Sequence, residues 1–301
     1  MKRYYDKMKR WIQYAQHYMK DGLLQPWPDD NRRMWFLGDW LTPAGVEVGG
    51  ESAELTNNCV LSDCLGTMAK IAHTLGHLDE ATIFASQRDT LNVQIHNAFF
   101  HATDTTYATG SPLDMAYPLL VGAVPASLHS AVVQRIIASC YGRFNGHIAG
   151  GLVGTAIFTQ WAILQGQSQP EPSQLVYNML KQRSYPGYLY MIDNNATTTW
   201  EYWNGERSHV HNCYNGIGLW FYQALGGIRP TDDGVGYQRV IIAPQCPKEV
   251  TWATTTRQTP YGLLRTEWRG SQLKAQIPVG VEAEVVWRGK RHIVGSGEWM
   301  F

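Results

Sequence analysis

The sequence predicts a mainly α-helical fold with a β tail, and three observations lead there. Up to residue 228, apolar residues recur at three-and-four spacing, and the segments that carry them are separated by hairpin-length loops with no strand between. After Ile228-Arg-Pro230 the pattern changes to short runs rich in β-branched and aromatic residues, parted by Gly- and Pro-containing turns. Residues 1–228 are therefore expected to stack as antiparallel helices, and residues 229–301 to form a small antiparallel, sandwich-like β-domain.

In the first helix Tyr4, Met8, Trp11, Ile12, Ala15 and Met19 share a face, and Asp21-Gly22 ends it. Gln25–Asn31 cannot continue it, because prolines flank Trp27. The loop runs on through Trp35, Phe36, Asp39 and Trp40 to a glycine-rich tail at Glu51. From Ala53 a second helix carries Leu55, Cys59, Leu61, Leu65, Met68, Ala72 and Leu75 as its stripe and closes at Gly76. Residues 79–98 make a third, with Ala81, Phe84, Ala85, Leu91, Val93 and Ile95 broadly periodic and Asp79-Glu80 at the end where the helix dipole favours acids. A polar loop, His101–Ser111, leads to helices at 114–122, 126–140, 155–164 and 172–182, with Gly146–Gly151 as a loop. The most apolar stretch, Leu113–Leu128, contains Asp114, Pro118 and Pro125 and reads as a buried helix pair. Strands follow at 238–243, 250–255, 263–268, 273–277 and 281–287; in the last, Val281, Ala283, Val285 and Trp287 alternate with outward residues.

Composition narrows the function. Lys plus Arg equals Asp plus Glu at 25 each, so no basic stripe points to nucleic acid or to an anionic membrane surface. No run approaches the ~20 apolar residues of a membrane span. The opening MKRYYDKMKRWIQ lacks a signal-peptide core, although Met1 leads straight into a helix and an upstream segment is therefore expected. Five scattered cysteines suit free thiols and favour the cytoplasm. Twelve Trp and sixteen Tyr fit carbohydrate stacking better than phosphate or peptide binding. No Walker loop, no GxGxxG after a strand and no GxSxG is present, and His209 and His211 have no third ligand at metal spacing, so neither cofactor nor metal is expected.

The stretch Asn195–Gly218 concentrates the chemistry. Glu201 lies between Trp200 and Tyr202-Trp203, where flat sugar faces stack on rings and a carboxylate is desolvated; the competing reading is a hydrogen-bonded Glu in an aromatic core. Asp39 beside Trp40 repeats the theme. Trp40, Trp200 and Trp203 are candidate stacking walls or core residues, and Asp193 with Asn194 and Asn195 either binds sugar hydroxyls or forms a turn.

Gly38-Asp39-Trp40-Leu41 with Pro43, Glu54-Leu-Thr-Asn through Met68–Gly76, Thr197-Thr-Thr-Trp-Glu201, His211-Asn-Cys-Tyr-Asn-Gly-Ile-Gly-Leu-Trp220, Leu225-Gly-Gly-Ile228 and Ile242-Ala-Pro244 together carry a resemblance. In their order and spacing the chain resembles the C-terminal part of a bacterial α-L-rhamnosidase of glycoside hydrolase family 78. That resemblance implies an (α/α)6 toroid, release of terminal L-rhamnose with inversion, Glu201 as general base and Asp39 as a sugar-binding carboxylate. It also places a general acid five residues beyond the GDW aspartate, where this chain has Ala44. Glu47, the nearer substitute, and Glu51 lie in the same loop, each either reaching the pocket or exposed, and His211, preceded here by Val210, either matches a pocket histidine or is a hydrogen-bonded core residue. A toroid needs twelve helices and periodicity gives roughly eight before residue 228, so the barrel is expected to be partial and to self-associate through uncovered apolar faces. Two rival expectations stand beside this one: a hydrolase of another α-linked sugar, such as a uronic acid or glucose, and a non-catalytic carbohydrate-binding relative.

Overall fold

The computed structural model describes residues 1–26, 36–45, 49–144 and 150–301, without the side chains of 143 and 144. The expectations for Trp27, Trp35, Glu47 and residues 146–149 lie outside the described residues. Contacts divide the chain into two compact bodies, residues 1–158 with 183–214 and residues 159–182 with 215–301.

In the first body, α1 (Tyr5–His17) buries Tyr5, Ile12 and Ala15. Tyr4 and Trp11, expected on that face, are each 50% exposed. The helix is turned so that Tyr5 and Lys9, four residues apart, both reach Glu80, at 2.7 and 2.6 Å. A small hairpin, β1 (Met19–Lys20) and β2 (Leu23–Leu24), follows. The side-chain amide of Asn58 accepts from the Leu24 N–H and donates to the Leu24 carbonyl, which fixes β2 to α2 (Gly50–Thr74). The expected stripe of α2 is buried from Leu55 to Ala72. In α3 (Leu78–Phe99) Phe84, Leu91 and Ile95 are buried, whereas Val93, expected on the same face, is 57% exposed. Only the first three keep the helical period against α2. Ser62 donates to Asn92, and Asn92 donates to the Val121 carbonyl, a buried chain that ties α2, α3 and α4 together.

The polar loop before α4 contains one more hairpin, β3 (Phe100–His101) with β4 (Thr106–Tyr107). Ser111 caps α4 (Pro112–Val121) by accepting from the Asp114 N–H at 3.1 Å, and Gly122, at φ 81°, ends it. Asp114 is buried inside this apolar helix because Ser52 and Thr109 donate three hydrogen bonds to it. α5 (Ala126–Phe144) buries Val132, Val133, Ile136 and Cys140. α6 (Leu152–Gln165) begins in this body. A short helix at Tyr188–Asp193, α8 in chain order, escaped the periodicity reading because six residues are too few to show a period.

The second body holds α7 (Glu171–Leu180), which buries Leu175, Val176 and Met179. A 3-10 turn, Asn215–Ile217, α9 (Gly218–Trp220) and a π turn, Phe221–Leu225, lead into the strands. These are β5 (Ile228–Pro230), β6 (Arg239–Ile242), β7 (Trp252–Thr259), β8 (Gly262–Arg269), β9 (Gln272–Ile277), β10 (Glu282–Trp287), β11 (Lys290–Val294) and β12 (Gly297–Met300). They form two four-stranded sheets, in the orders β11-β10-β6-β5 and β12-β9-β8-β7. Val240, Ile242, Ala283 and Val285 of one sheet meet Leu264, Trp268, Leu273 and Ala275 of the other in a single core, the packing of a sandwich. One pair departs from the expected antiparallel pattern: β6 and β10 run parallel. The β7–β9 meander in the other sheet supplies the long crossover that a parallel pair requires.

The fold is thus mainly α with a β tail. Among the described residues no helix is long and apolar enough to cross a membrane, and all five cysteines are free.

Candidate active site

The loop that carries Asp39 and the start of α6 are made for one another. Four backbone N–H groups, from Gly151 to Gly154, precede the first intrahelical bond of α6, from the Thr155 N–H to the Gly151 carbonyl at 3.0 Å. Asp39 takes three of them: Gly151 donates to Oδ2 at 2.7 Å, and Val153 and Gly154 donate to Oδ1 at 3.0 and 2.9 Å. The fourth, from Leu152, goes to the Trp40 carbonyl at 2.7 Å. Asp39 is 4% exposed and sits at the positive end of the α6 dipole. It acts as an N-cap supplied from more than a hundred residues away. Both of its oxygens accept from backbone amides, an engagement with α6 that the sequence reading did not foresee.

Glu201 is placed differently. It is half-buried; its N–H donates to the Ser208 carbonyl at 2.8 Å, and its own carbonyl lies 3.1 Å from the Tyr214 hydroxyl. The Ser208 N–H donates to Oε2 at 3.2 Å, and Oε1 has no partner among the described residues. The Tyr214 hydroxyl also reaches the Leu41 carbonyl at 2.9 Å, so one side chain joins the Asp39 loop to the Glu201 loop.

A buried cluster of Leu41, Met191, Trp200, Trp203, Cys213 and Tyr214 supports both loops, with Trp40 and Tyr188 packed against it. Trp203 is 1% exposed, stacked on Tyr214 at 4.0 Å and edge-on to Tyr188, and donates Nε1–H to the Gly150 carbonyl at 2.9 Å. Trp200 is buried under the His209 ring at 5.0 Å. These two indoles are core, not stacking walls: a ring already covered on its faces has none to offer a sugar. Trp40 is half-buried.

Burial, then Glu201, then Asp39 push the Cys213 thiol up to about 11, and burial raises the Tyr214 and Tyr188 phenols. All three side chains therefore stay neutral at physiological pH. His211 is held on the same cluster, its Nδ1 at 2.9 Å from the Cys213 sulfur and its backbone paired with Thr199. Asp193 lies apart, in an exposed pair with Arg183 at 2.6 Å, and Glu51 stands at the start of α2 at 3.0 Å from His101 Nε2. Ala44 is exposed in the turn that Thr42 closes onto Gly45. Sequence reasoning missed Tyr214 and Ser208, and it read Gly151 as loop, although the Gly-Gly-Leu-Val-Gly154 spacing before an apolar helix was visible.

Known proteins resemble this chain over both its helical and its β part. Residues 1–225 match the family described as bacterial alpha-L-rhamnosidase 6 hairpin glycosidase domain, and residues 227–298 the bacterial alpha-L-rhamnosidase C-terminal domain. An alpha-L-rhamnosidase of Alteromonas sp. (strain LOR) is 27% identical over 305 residues, covering 94% of this chain and 31% of that protein. One from Formosa agariphila is 27% identical over 307 residues, covering 93% and 31%. The chain thus spans about a third of the length of the curated relatives it matches. Among solved structures, the alpha-L-rhamnosidase from Dictyoglumus thermophilum superposes with a TM-score of 0.85 at 21% identity, over 99% of this chain and 36% of the other. The Streptomyces avermitilis enzyme, solved with L-rhamnose, gives 0.83 at 22% identity, over 98% and 30%.

Proposed function

The chain belongs to the bacterial α-L-rhamnosidase six-hairpin glycosidase family, and from that membership we propose that it serves the hydrolysis of terminal α-L-rhamnosides, with inversion and with Glu201 as general base. The placement of Glu201 carries the reading. Its backbone is pinned on both sides, one carboxylate oxygen is fixed by the Ser208 N–H, and the other is left without a protein partner among the described residues. A base that orients and deprotonates a water needs that combination of a fixed carboxylate and an unspent lone pair.

Inversion also requires a carboxylic acid ~6.5–9.5 Å away to protonate the leaving oxygen. Asp39, bound to three amides, and Glu51, paired with His101, are committed elsewhere. Glu47 is the acid of that loop between Asp39 and Glu51 and is the residue we assign as donor. Turnover of an aryl α-L-rhamnoside tests the whole reading. Glu201→Gln should lower kcat by ~10²–10⁴-fold, and NMR should show the β-anomer of rhamnose as first product. Undiminished turnover in Glu201→Gln, or the α-anomer first, would refute it.

The engagement of Asp39 and Glu51 favours one second reading, a carbohydrate-binding relative without turnover. Saturable rhamnose binding by monodisperse protein that releases no aryl group would select it.

A further inference from the structure

His211 and Cys213 meet beside the Glu201 loop. His211 stands on one arm of that loop and Glu201 on the facing arm: the His211 N–H donates to the Thr199 carbonyl at 2.9 Å, and the Glu201 N–H to the Ser208 carbonyl at 2.8 Å. The Thr199 hydroxyl donates to the His211 carbonyl, so the backbone that carries the ring is held through both of its polar groups. Two residues on, Cys213 belongs to the buried cluster with Leu41, Trp200, Trp203 and Tyr214 and is 1% exposed. Its sulfur lies 2.9 Å from His211 Nδ1.

One hydrogen serves that contact, and the chemistry of the two atoms decides whose it is. Burial first, then Glu201 and Asp39, keep the thiol protonated, so the sulfur has a hydrogen to give. Sulfur is itself a poor acceptor, whereas a bare imidazole nitrogen accepts well. The bond therefore runs from the thiol to Nδ1, and the neutral ring keeps its own hydrogen on Nε2. Water does not compete for the thiol, because the side chain is sealed in the cluster. Nε2 lies on the far side of the ring from the buried sulfur, on a residue that is only half-buried, and it has no hydrogen-bond partner among the described residues. The result is a donor of fixed sense on the arm that faces Glu201.

We propose that Cys213 is a positioning residue: its thiol holds His211 in the Nε2–H form, and the ring thereby offers a donor to a hydroxyl of the sugar that Glu201 serves. The choice of ligand rests on the rhamnoside reading; the state of the ring does not. A hydroxyl suits this donor because its oxygen accepts. A hydroxyl that takes no part in bond breaking is held equally before and during the reaction, so the effect belongs in KM rather than in kcat.

Long-range proton–nitrogen NMR of the isotope-labelled full chain reads the ring directly at about pH 8, where imidazole is neutral. The His211 signals are assigned by their loss in His211→Gln. The parent should show Nε2 protonated and Nδ1 bare. Cys213→Ala should give a mixture of the two ring forms and weaken L-rhamnose binding, measured by calorimetry, by about three- to tenfold, the size of one modest hydrogen bond. KM for an aryl α-L-rhamnoside should rise by the same factor with kcat held. Cys213→Ser keeps a hydroxyl within reach of Nδ1 and should restore both the ring form and the affinity, a rescue that packing alone would not give. Circular dichroism and thermal unfolding verify that both variants fold. Nδ1–H in the parent, ring signals unchanged in Cys213→Ala, affinity equally reduced in the alanine and serine variants, or no rhamnose binding by the parent at ~50 mM would overturn the proposal. Failure of the hydrolase reading shows separately, as a parent that binds rhamnose and releases no aryl group, and the ring signals and the rhamnose titration still decide the role of Cys213.

Discussion

The carboxylate of Asp39 occupies the space that a side chain at position 154 would need. A Cβ on Gly154 would collide with Oδ2, while the Gly154 N–H donates to Oδ1 at 2.9 Å. Gly151 is confined in the same way by the Trp40 carbonyl and by Asp39. The glycines before and inside the first turn of α6 are therefore what allow the GDW loop to approach closely enough to cap it.

Asp39→Ala should cost about 2–4 kcal/mol, because it removes an N-cap and leaves buried N–H groups without an acceptor. Gly154→Ala should destabilise through the same contact by displacing the carboxylate. Urea denaturation measures both. A change below about 0.5 kcal/mol, the size of an ordinary surface substitution, would show that the loop is not held by this cap.

Tyr214→Phe keeps the ring stacked on Trp203 and deletes only the hydroxyl shared between the Leu41 and Glu201 carbonyls. Stability should fall by about 1 kcal/mol, one net hydrogen bond. If the bridge positions Glu201, kcat for an aryl rhamnoside should drop while KM holds. Equal kinetics in the variant and the parent would make the bridge purely structural.

Glu47→Gln separates donor from bystander through the leaving group. A proton donor matters most when the departing alkoxide is basic, so the variant should lose ~10²–10⁴-fold on an alkyl rhamnoside and far less on a nitrophenyl rhamnoside. Equal losses on both substrates, or none, would remove Glu47 from the donor role.

The helical stripes were legible because burial imposes a period: Leu55, Cys59, Leu61, Leu65 and Met68 are all buried as their spacing requires. The inward line of Ala283, Val285 and Trp287 was legible for the same reason. What stayed hidden depends on partners remote in sequence. Nothing local distinguishes an aspartate that binds sugar from one that caps a helix beginning at residue 152, or an indole that stacks on a substrate from Trp203, which stacks on Tyr214. The turn of α1 was hidden too, since Glu80 decides which face is buried.

That contact also sets how α1 responds to pH. The Lys9 hydrogen bond first, and the Tyr5 hydrogen bond second, pull the Glu80 carboxyl below its ordinary range. A depressed carboxylate contributes stability that is present above the ordinary carboxylate range and is lost as pH falls through the folded value. On the alkaline side, burial and then Glu80 push the Tyr5 phenol up to about 12, and Glu80 raises Lys9 as well. A raised group contributes in full below its ordinary value, 10 for this phenol, and the contribution is lost as pH rises through about 12. Amide hydrogen exchange across Tyr5–His17 should therefore show α1 best protected between the carboxylate range and pH 10. Glu80→Gln should flatten the acid limb, and Tyr5→Phe should remove the phenol's part of the alkaline limb while shrinking the acid limb to the part that Lys9 supports. Identical acid limbs in Glu80→Gln and the parent would place the acid response of this helix elsewhere.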